Sequence, residues 1–179
     1  MRTLKYAILG LVNRKPLTGY DLSKEFSKEL NNFWHAKQSQ IYPELQRLVD
    51  EELLTFDIVI TGEVLEKKVY KITEQGKKAL HKWLLTEENL PPTPKDPFKL
   101  KVYFSESLSK EDILKSLQFQ LEQIKEKYTI LHDKLVQDYK ITPTPISITF
   151  NDYIVLKAAV LREEAYLKWL EEYVALLRQ

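Results

Sequence analysis
The chain has 179 residues, enough for one large domain or two small ones, and with 44% hydrophobic and 30% charged residues it has the balance of a folded protein rather than a disordered one. It holds no cysteine, which excludes disulfides and thiolate metal sites, and no apolar run approaches the roughly 18–20 residues of a membrane span. The net charge is only +1, but residues 1–85 carry 14 Lys/Arg against 11 Asp/Glu while residues 86–179 carry 13 against 15, so the first part is the one suited to a polyanionic partner.

The N-terminal MRTLKYAILGLVNRKP has a charged start and a short apolar run. Lys5 interrupts that run and no small-residue cleavage site follows, so it reads as a helix, and the chain is expected to be cytoplasmic. Thr3 is the expected cap of this first helix, whose Leu4, Ala7, Ile8, Leu11 and Val12 share one face, and Pro16 ends it. Thr18 with Asp21 makes a capping-box-like start for a second helix lined by Leu22, Phe26 and Leu30. Ser39 opens a third, with Pro43 near its first turn and Ile41, Leu45, Leu48 and Val49 facing the core. Leu54 to Ile60 alternates as a strand, Thr61-Gly62-Glu63 turns, and Val64 to Ile72 returns. Thr73 caps a fourth helix that buries Ala79, Leu80, Trp83 and Leu84.

Residues 86–97 hold Pro91, Pro92, Pro94 and Pro97 and read as a stiff linker without helix. Beyond it the chain is helical. Phe98 to Phe104 forms a short helix, and Ser109 with Asp112 starts a long one. The latter's Leu114, Leu117, Leu121, Ile124, Tyr128, Leu131 and Leu135 follow a heptad. A last helix runs from about Asp152 to Arg178 and carries two apolar stripes. One is Tyr153, Val160, Leu167 and Val174; the other is Leu156, Ala159, Tyr166, Leu170, Tyr173 and Leu177. Two stripes exceed what a two-helix hairpin covers, so residues 98–179 are expected to form a dimerisation arm closed by a second copy.

Enzyme chemistry finds little support. His35, His81 and His132 stand far apart in no ligand-spaced pair, and there is no glycine-rich phosphate loop or nucleophile elbow. The paired carboxylates read as solvated helix faces. No catalytic residue, metal or cofactor is expected.

DNA chemistry finds more. Lys37, Gln38, Ser39, Gln40 and Tyr42 cluster at the start of the third helix, the end that enters a major groove in helix-turn-helix proteins. Glutamine bonds adenine through two atoms, serine gives or takes a hydrogen bond, and lysine and tyrosine reach phosphate. The following hairpin adds Lys67 and Lys68 beside a backbone, with Tyr20, Lys15 and Arg47 as further candidates. Lys68 shares strand parity with Tyr70 and Ile72, which face inward, so it has to snorkel out. The fold class is therefore mainly α with a small β-hairpin: a winged helix-turn-helix over residues 1–85 and a helical, coiled-coil-like dimerisation domain.

These segments resemble the PadR family of bacterial transcriptional regulators. The residues that carry the likeness are LKYAILGLV, TGYDL, FW before the third helix, SQIYPEL with RLVDEELL, and EKKVYKITEQGKKAL. FWHAKQSQIYPEL with LEKKVY is similar to the phenolic-acid-responsive repressors of that family. One departure stands out: Glu52-Leu53 lies where many relatives carry glycine, so the start of the hairpin is expected to be less tightly turned. The resemblance implies a homodimeric repressor of a phenolic acid decarboxylase gene, seated on palindromic double-stranded operator DNA and released by hydroxycinnamic acids such as p-coumaric or ferulic acid. Such a ligand needs apolar walls and a cation. Phe33 and Trp34 supply one candidate wall, Tyr103, Phe104, Tyr128 and His132 the other, and Lys101 or Arg162 the cation, in a pocket expected between the two domains. Two alternatives remain at this level: a regulator of the same family answering to a cationic or multidrug ligand, and an interaction module whose winged domain binds protein.

Overall fold
In a computed structural model, which describes residues 2–28, 30–61 and 65–179, the chain divides into the units Met1–Leu90 and Pro91–Gln179. The first unit packs α1 (Thr3–Arg14), α2 (Gly19–Lys28), α3 (Gln38–Asp50) and α4 (Glu74–Leu84) around one core with β1 (Leu17–Thr18), β2 (Leu54–Thr61) and β3 (Leu65–Ile72). Ile8, Leu9, Leu22, Phe26, Ile41, Leu45, Leu48 and Leu54 are all buried in it. The tiny strand β1 turns the expected hairpin into a three-stranded antiparallel sheet of order β1-β3-β2. Leu17 pairs with Tyr70 and Thr18 with Val69, a two-residue stretch too short to show alternation.

The helix starts depart from expectation in instructive ways. Thr3 is the first residue of α1 rather than its cap; Arg2 holds the cap position, and its guanidinium reaches Glu44 at 2.7 Å and Glu51 at 2.5 Å. The box at α2 forms as read: the Asp21 N–H donates to Thr18 Oγ1 and the Thr18 N–H donates to Asp21 Oδ2, each at 3.1 Å. Leu30 lies past that helix in a tight turn, Leu30–Asn32, yet still packs on the core. For α3 the cap is Lys37 and not Ser39, and the Lys37 N–H donates to Gln40 Oε1 at 3.0 Å. Pro43 is the sixth residue of α3, in its second turn, so the Ser39 carbonyl loses its usual helical donor.

The start of the wing is tightly turned, contrary to the expectation from Glu52-Leu53. Glu52 adopts a left-handed backbone (φ 57), the Leu53 N–H donates to Leu48 O, and the Glu52 N–H donates to Val49 O, both at 2.9 Å. That is a Schellman ending built without glycine, at a steric cost on the order of 1 kcal/mol. Register then runs from Leu54↔Ile72 through Phe56↔Tyr70 and Ile58↔Lys68 to Thr61↔Leu65. The turn read at Thr61-Gly62-Glu63 falls largely on residues 62–64, outside the described residues. Thr73 caps α4 by accepting from the Gly76 N–H at 3.0 Å. A Cβ on Gly76 would lie 2.2 Å from the Leu53 carbonyl, so only glycine lets α4 approach the wing root this closely. Trp83 stacks on Tyr6 at 4.8 Å, but Leu84, expected in the core, is 65% exposed at the last position of the helix.

In the second unit, Pro97 is not linker but the first residue of α5 (Pro97–Tyr103), where a missing N–H is harmless; Asp96 caps it, accepting from Phe98 and Lys99. Helices α6 (Lys110–Asp138) and α7 (Ile148–Arg178) form an antiparallel pair. Leu117 and Ile124 meet Leu170 and Val174, while Leu131 and Leu135 meet Leu156, Ala159 and Val160. α7 starts four residues before the expected Asp152, because Ser147 accepts from the Phe150 N–H at 3.0 Å. Both apolar stripes of α7 are buried or half-buried inside this unit, helped by Phe98 and Val102 of α5, so much of their cover comes from the chain itself. A different apolar set stays open: Phe119 and Ile130 on α6, Ile154 and Leu161 on α7. Among the described residues no helix is long and apolar enough to cross a membrane.

Candidate nucleic-acid interface
The leading end of α3 is laid bare by the packing behind it. Ile41, Leu45 and Leu48 anchor one face in the core, which leaves Lys37, Gln38, Ser39, Gln40 and Tyr42 exposed on the other. The Tyr42 ring lies against Gly19, the residue that precedes the 69%-exposed Tyr20. Both phenols, Tyr20 on α2 and Tyr42 on α3, are exposed. Of the weaker candidates, Lys15 lies 3.4 Å from Glu25 and Arg47 lies 3.6 Å from the buried Glu44, so each spends part of its charge internally.

The wing orders its lysines by what they touch. Lys71 is ion-paired with Asp57. Lys68 does snorkel: its Nζ sits 4.3 Å from the Phe56 ring centroid, which lets an inward-parity lysine present its charge at the surface. Lys67, on the opposite parity, is exposed. Behind α3, a charge cluster ties helix to helix, with Arg2 and Lys5 both on Glu51. Hydrogen bonds from Arg2 and then Lys5 hold the Glu51 carboxyl below its ordinary range.

The residues read as ligand walls belong to both units. Phe33 and Trp34 follow the turn after α2, both exposed, with the Trp34 N–H on Leu30 O. Tyr103 and Phe104 meet edge to face, and Tyr128 stacks on His132. Only Tyr103 and Arg162 line the cavity of about 800 Å³ in the second unit; Lys101, Phe104, Tyr128 and His132 do not. Its other walls include Asp96, Lys99, Lys127, Glu163, Tyr166 and Trp169. Tyr166 and Trp169 stack at 5.3 Å, and the Tyr166 hydroxyl donates to Asp96 at 3.3 Å. Burial first, then the Asp96 charge, pushes the Tyr166 phenol up to about 12. Glu163 is buried between Lys127 at 2.9 Å and Arg162 at 2.8 Å. Burial alone would raise its pKa, but the two cations outweigh it and hold the carboxyl below the ordinary glutamate value.

Residues 8–82 match the Transcriptional regulator PadR-like family, and residues 94–178 match the Virulence activator alpha C-term family. The Negative transcriptional regulator PadR of Bacillus subtilis is 43% identical over 99% of this chain and 98% of its own. The chain belongs to the PadR family. Two solved structures of the Bacillus subtilis protein are similar throughout. Its complex with operator DNA superposes with a TM-score of 0.94 at 43% identity over 98% of this chain and 99% of that one. Its complex with p-coumaric acid gives 0.87 at 40% identity over 99% and 100%.

Within this PadR-family fold, sequence reasoning missed the cavity residues Lys99, Lys127, Glu163, Tyr166 and Trp169. One signal was there to be read. Tyr166, Trp169 and Tyr173 recur at helical spacing and form a ring ladder, but in the sequence Tyr166 and Tyr173 also fit a core stripe.

Proposed function
We propose that this chain is a transcriptional repressor that grips a palindromic operator as a homodimer and lets go when a hydroxycinnamic acid such as p-coumaric or ferulic acid binds. The carrying observation is the whole-length 43% identity to the Bacillus subtilis negative regulator, joined to an exposed polar helix end flanked by wing lysines. In this reading Gln38, Ser39 and Gln40 meet base edges, and Tyr20, Tyr42 and Lys37 fix the helix on the backbone. Lys67 and Lys68 reach a flanking phosphate, with Lys15 and Arg47 contributing at longer range. The second unit supplies the dimer contact, through the apolar set around Phe119 and Leu161 that its own core leaves open. A two-fold dimer then presents two α3 helices to inverted half-sites. The controlled gene is a phenolic acid decarboxylase.

The ligand must favour the form that fits DNA poorly. A hundredfold loss of operator affinity requires about 2.7 kcal/mol of coupling, within the usual range for allosteric proteins. A gel shift of the chain with its own upstream DNA and a decarboxylase promoter tests the reading. Salt-sensitive binding to a palindrome, reversed by p-coumarate, is expected. Binding that ignores p-coumarate but yields to apolar cations would reassign the effector, and no DNA binding at low salt would overturn the reading.

A further inference from the structure
Glu44 is a buried carboxylate on α3, the helix that meets DNA in the proposed function. It lies one turn after Gln40 and one turn before Arg47, where its charge repels phosphate unless a cation matches it. The match comes from the start of α1. Arg2 Nε and one terminal nitrogen donate to Glu44 Oε1 at 3.0 Å and 2.7 Å, and the other terminal nitrogen donates to Glu51 Oε1 at 2.5 Å. Lys5 donates to the second Glu51 oxygen at 2.8 Å. Glu51 thus holds the guanidinium in the orientation that serves Glu44, a forked geometry that lysine does not offer. The other Glu44 oxygen, Oε2, is 3.6 Å from Arg47, its remaining cation among the described residues. That distance is an ion pair too long for a hydrogen bond, and the Arg47 side chain is 63% exposed.

We propose that Arg2 is a positioning residue for operator binding: by matching the buried Glu44 charge from α1, it leaves Arg47 able to meet a phosphate. The inference rests on the repressor reading above. Gln40 and Arg47 stand seven positions apart, on one stripe of α3 and about 10 Å apart along its axis. A major groove is about 12 Å wide, so a helix that reads bases at Gln40 carries Arg47 to the phosphates along the groove edge. Without Arg2, the desolvated Glu44 carboxylate has to be matched by Arg47, which is drawn onto the helix and away from the DNA. Without Glu44, the pull on Arg47 disappears. Arg2 acts through this pair and not on the DNA itself.

Titrations of the full chain against labelled operator DNA, from low to moderate salt at pH 7, test this. Arg2→Gln is expected to weaken binding about tenfold and to lower the slope of log affinity against log salt by about one. Arg47→Gln is expected to do the same, and the two together should lose no more slope than either alone. Glu44→Gln is expected to bind about threefold more tightly than wild type, the scale of releasing an exposed ion pair. Glu44→Gln added to Arg2→Gln should restore the wild-type slope. A merely structural Arg2 predicts the opposite: loss of either partner weakens binding alike, and loss of both rescues nothing. Thermal melts show which variants are folded at the assay temperature; if Arg2→Gln is not, the gain in Glu44→Gln decides alone. Weaker or unchanged binding by Glu44→Gln, an unchanged slope in folded Arg2→Gln or in Arg47→Gln, or no rescue in the double variant overturns the inference and leaves the repressor reading standing. No operator binding by the wild type overturns both.

Discussion
A Cβ added to Gly19 would come within 2.6 Å of Cε1 in the Tyr42 ring, so the first residue of α2 sets where the phenol on α3 lies. Tyr42 is 45% exposed, and its outer ring edge is free to swing aside. Gly19→Ala is therefore expected to change the unfolding midpoint little while weakening operator DNA about tenfold. Fluorescence anisotropy against a labelled operator, beside a thermal melt, reads both. A large fall in melting temperature with unchanged DNA affinity would contradict it.

The left-handed backbone at Glu52 carries a steric cost that glycine does not. Glu52→Gly keeps the Leu53-to-Leu48 and Glu52-to-Val49 bonds and relieves that strain, offset in part by the freer unfolded chain. A gain of about 0.5–1 kcal/mol in urea unfolding is expected. Destabilisation would mean the Glu52 side chain has a role that its exposed position does not reveal.

Glu51 links stability to acid. Its carboxyl is held below the ordinary value of 4.5 by Arg2 and Lys5. Its contribution is therefore fully present above that value and disappears as pH falls through the depressed folded value. Wild type and Glu51→Gln should differ in urea midpoint at pH 7 and converge in acid. A difference that grows on acidification would reverse the assignment. The carboxylate is about a third exposed, so the gap at neutral pH should be small.

The wing lysines separate by salt. Lys67→Ala should lower the slope of log affinity against log salt by about one, since it removes one phosphate contact. Lys71→Ala should leave that slope nearly unchanged, because Asp57 already matches its charge. Operator titrations from low to moderate salt decide between them; identical slopes for wild type and Lys67→Ala would take Lys67 off the backbone.

What the sequence revealed followed periodicity, and what it hid followed tertiary contact. The core face of α3 and the box of Thr18 with Asp21 are local patterns and could be read directly. Even the snorkelling of Lys68 follows from parity alone. Strand β1 could not be read, because two residues have no period and exist as a strand only through Tyr70 and Val69. The α7 stripes could be read, but not the share of their cover that the chain itself supplies, since nothing local announces that Phe98 and Val102 pack against them. Glu163 looked like one of a solvated pair with Glu164; its burial depends on Lys127, on another helix and 36 positions away.

The short pairing of Leu17 and Thr18 with Tyr70 and Val69 makes the wing a cantilever clamped near its root. Bending in such a beam concentrates beyond the clamp. Lys71 therefore lies on the clamped side, while Lys67 and Lys68 lie on the overhang, the part of the ribbon with most freedom to adjust. Two residues of backbone, Leu17 and Thr18, thus decide how much of the ribbon is braced against the body of the unit.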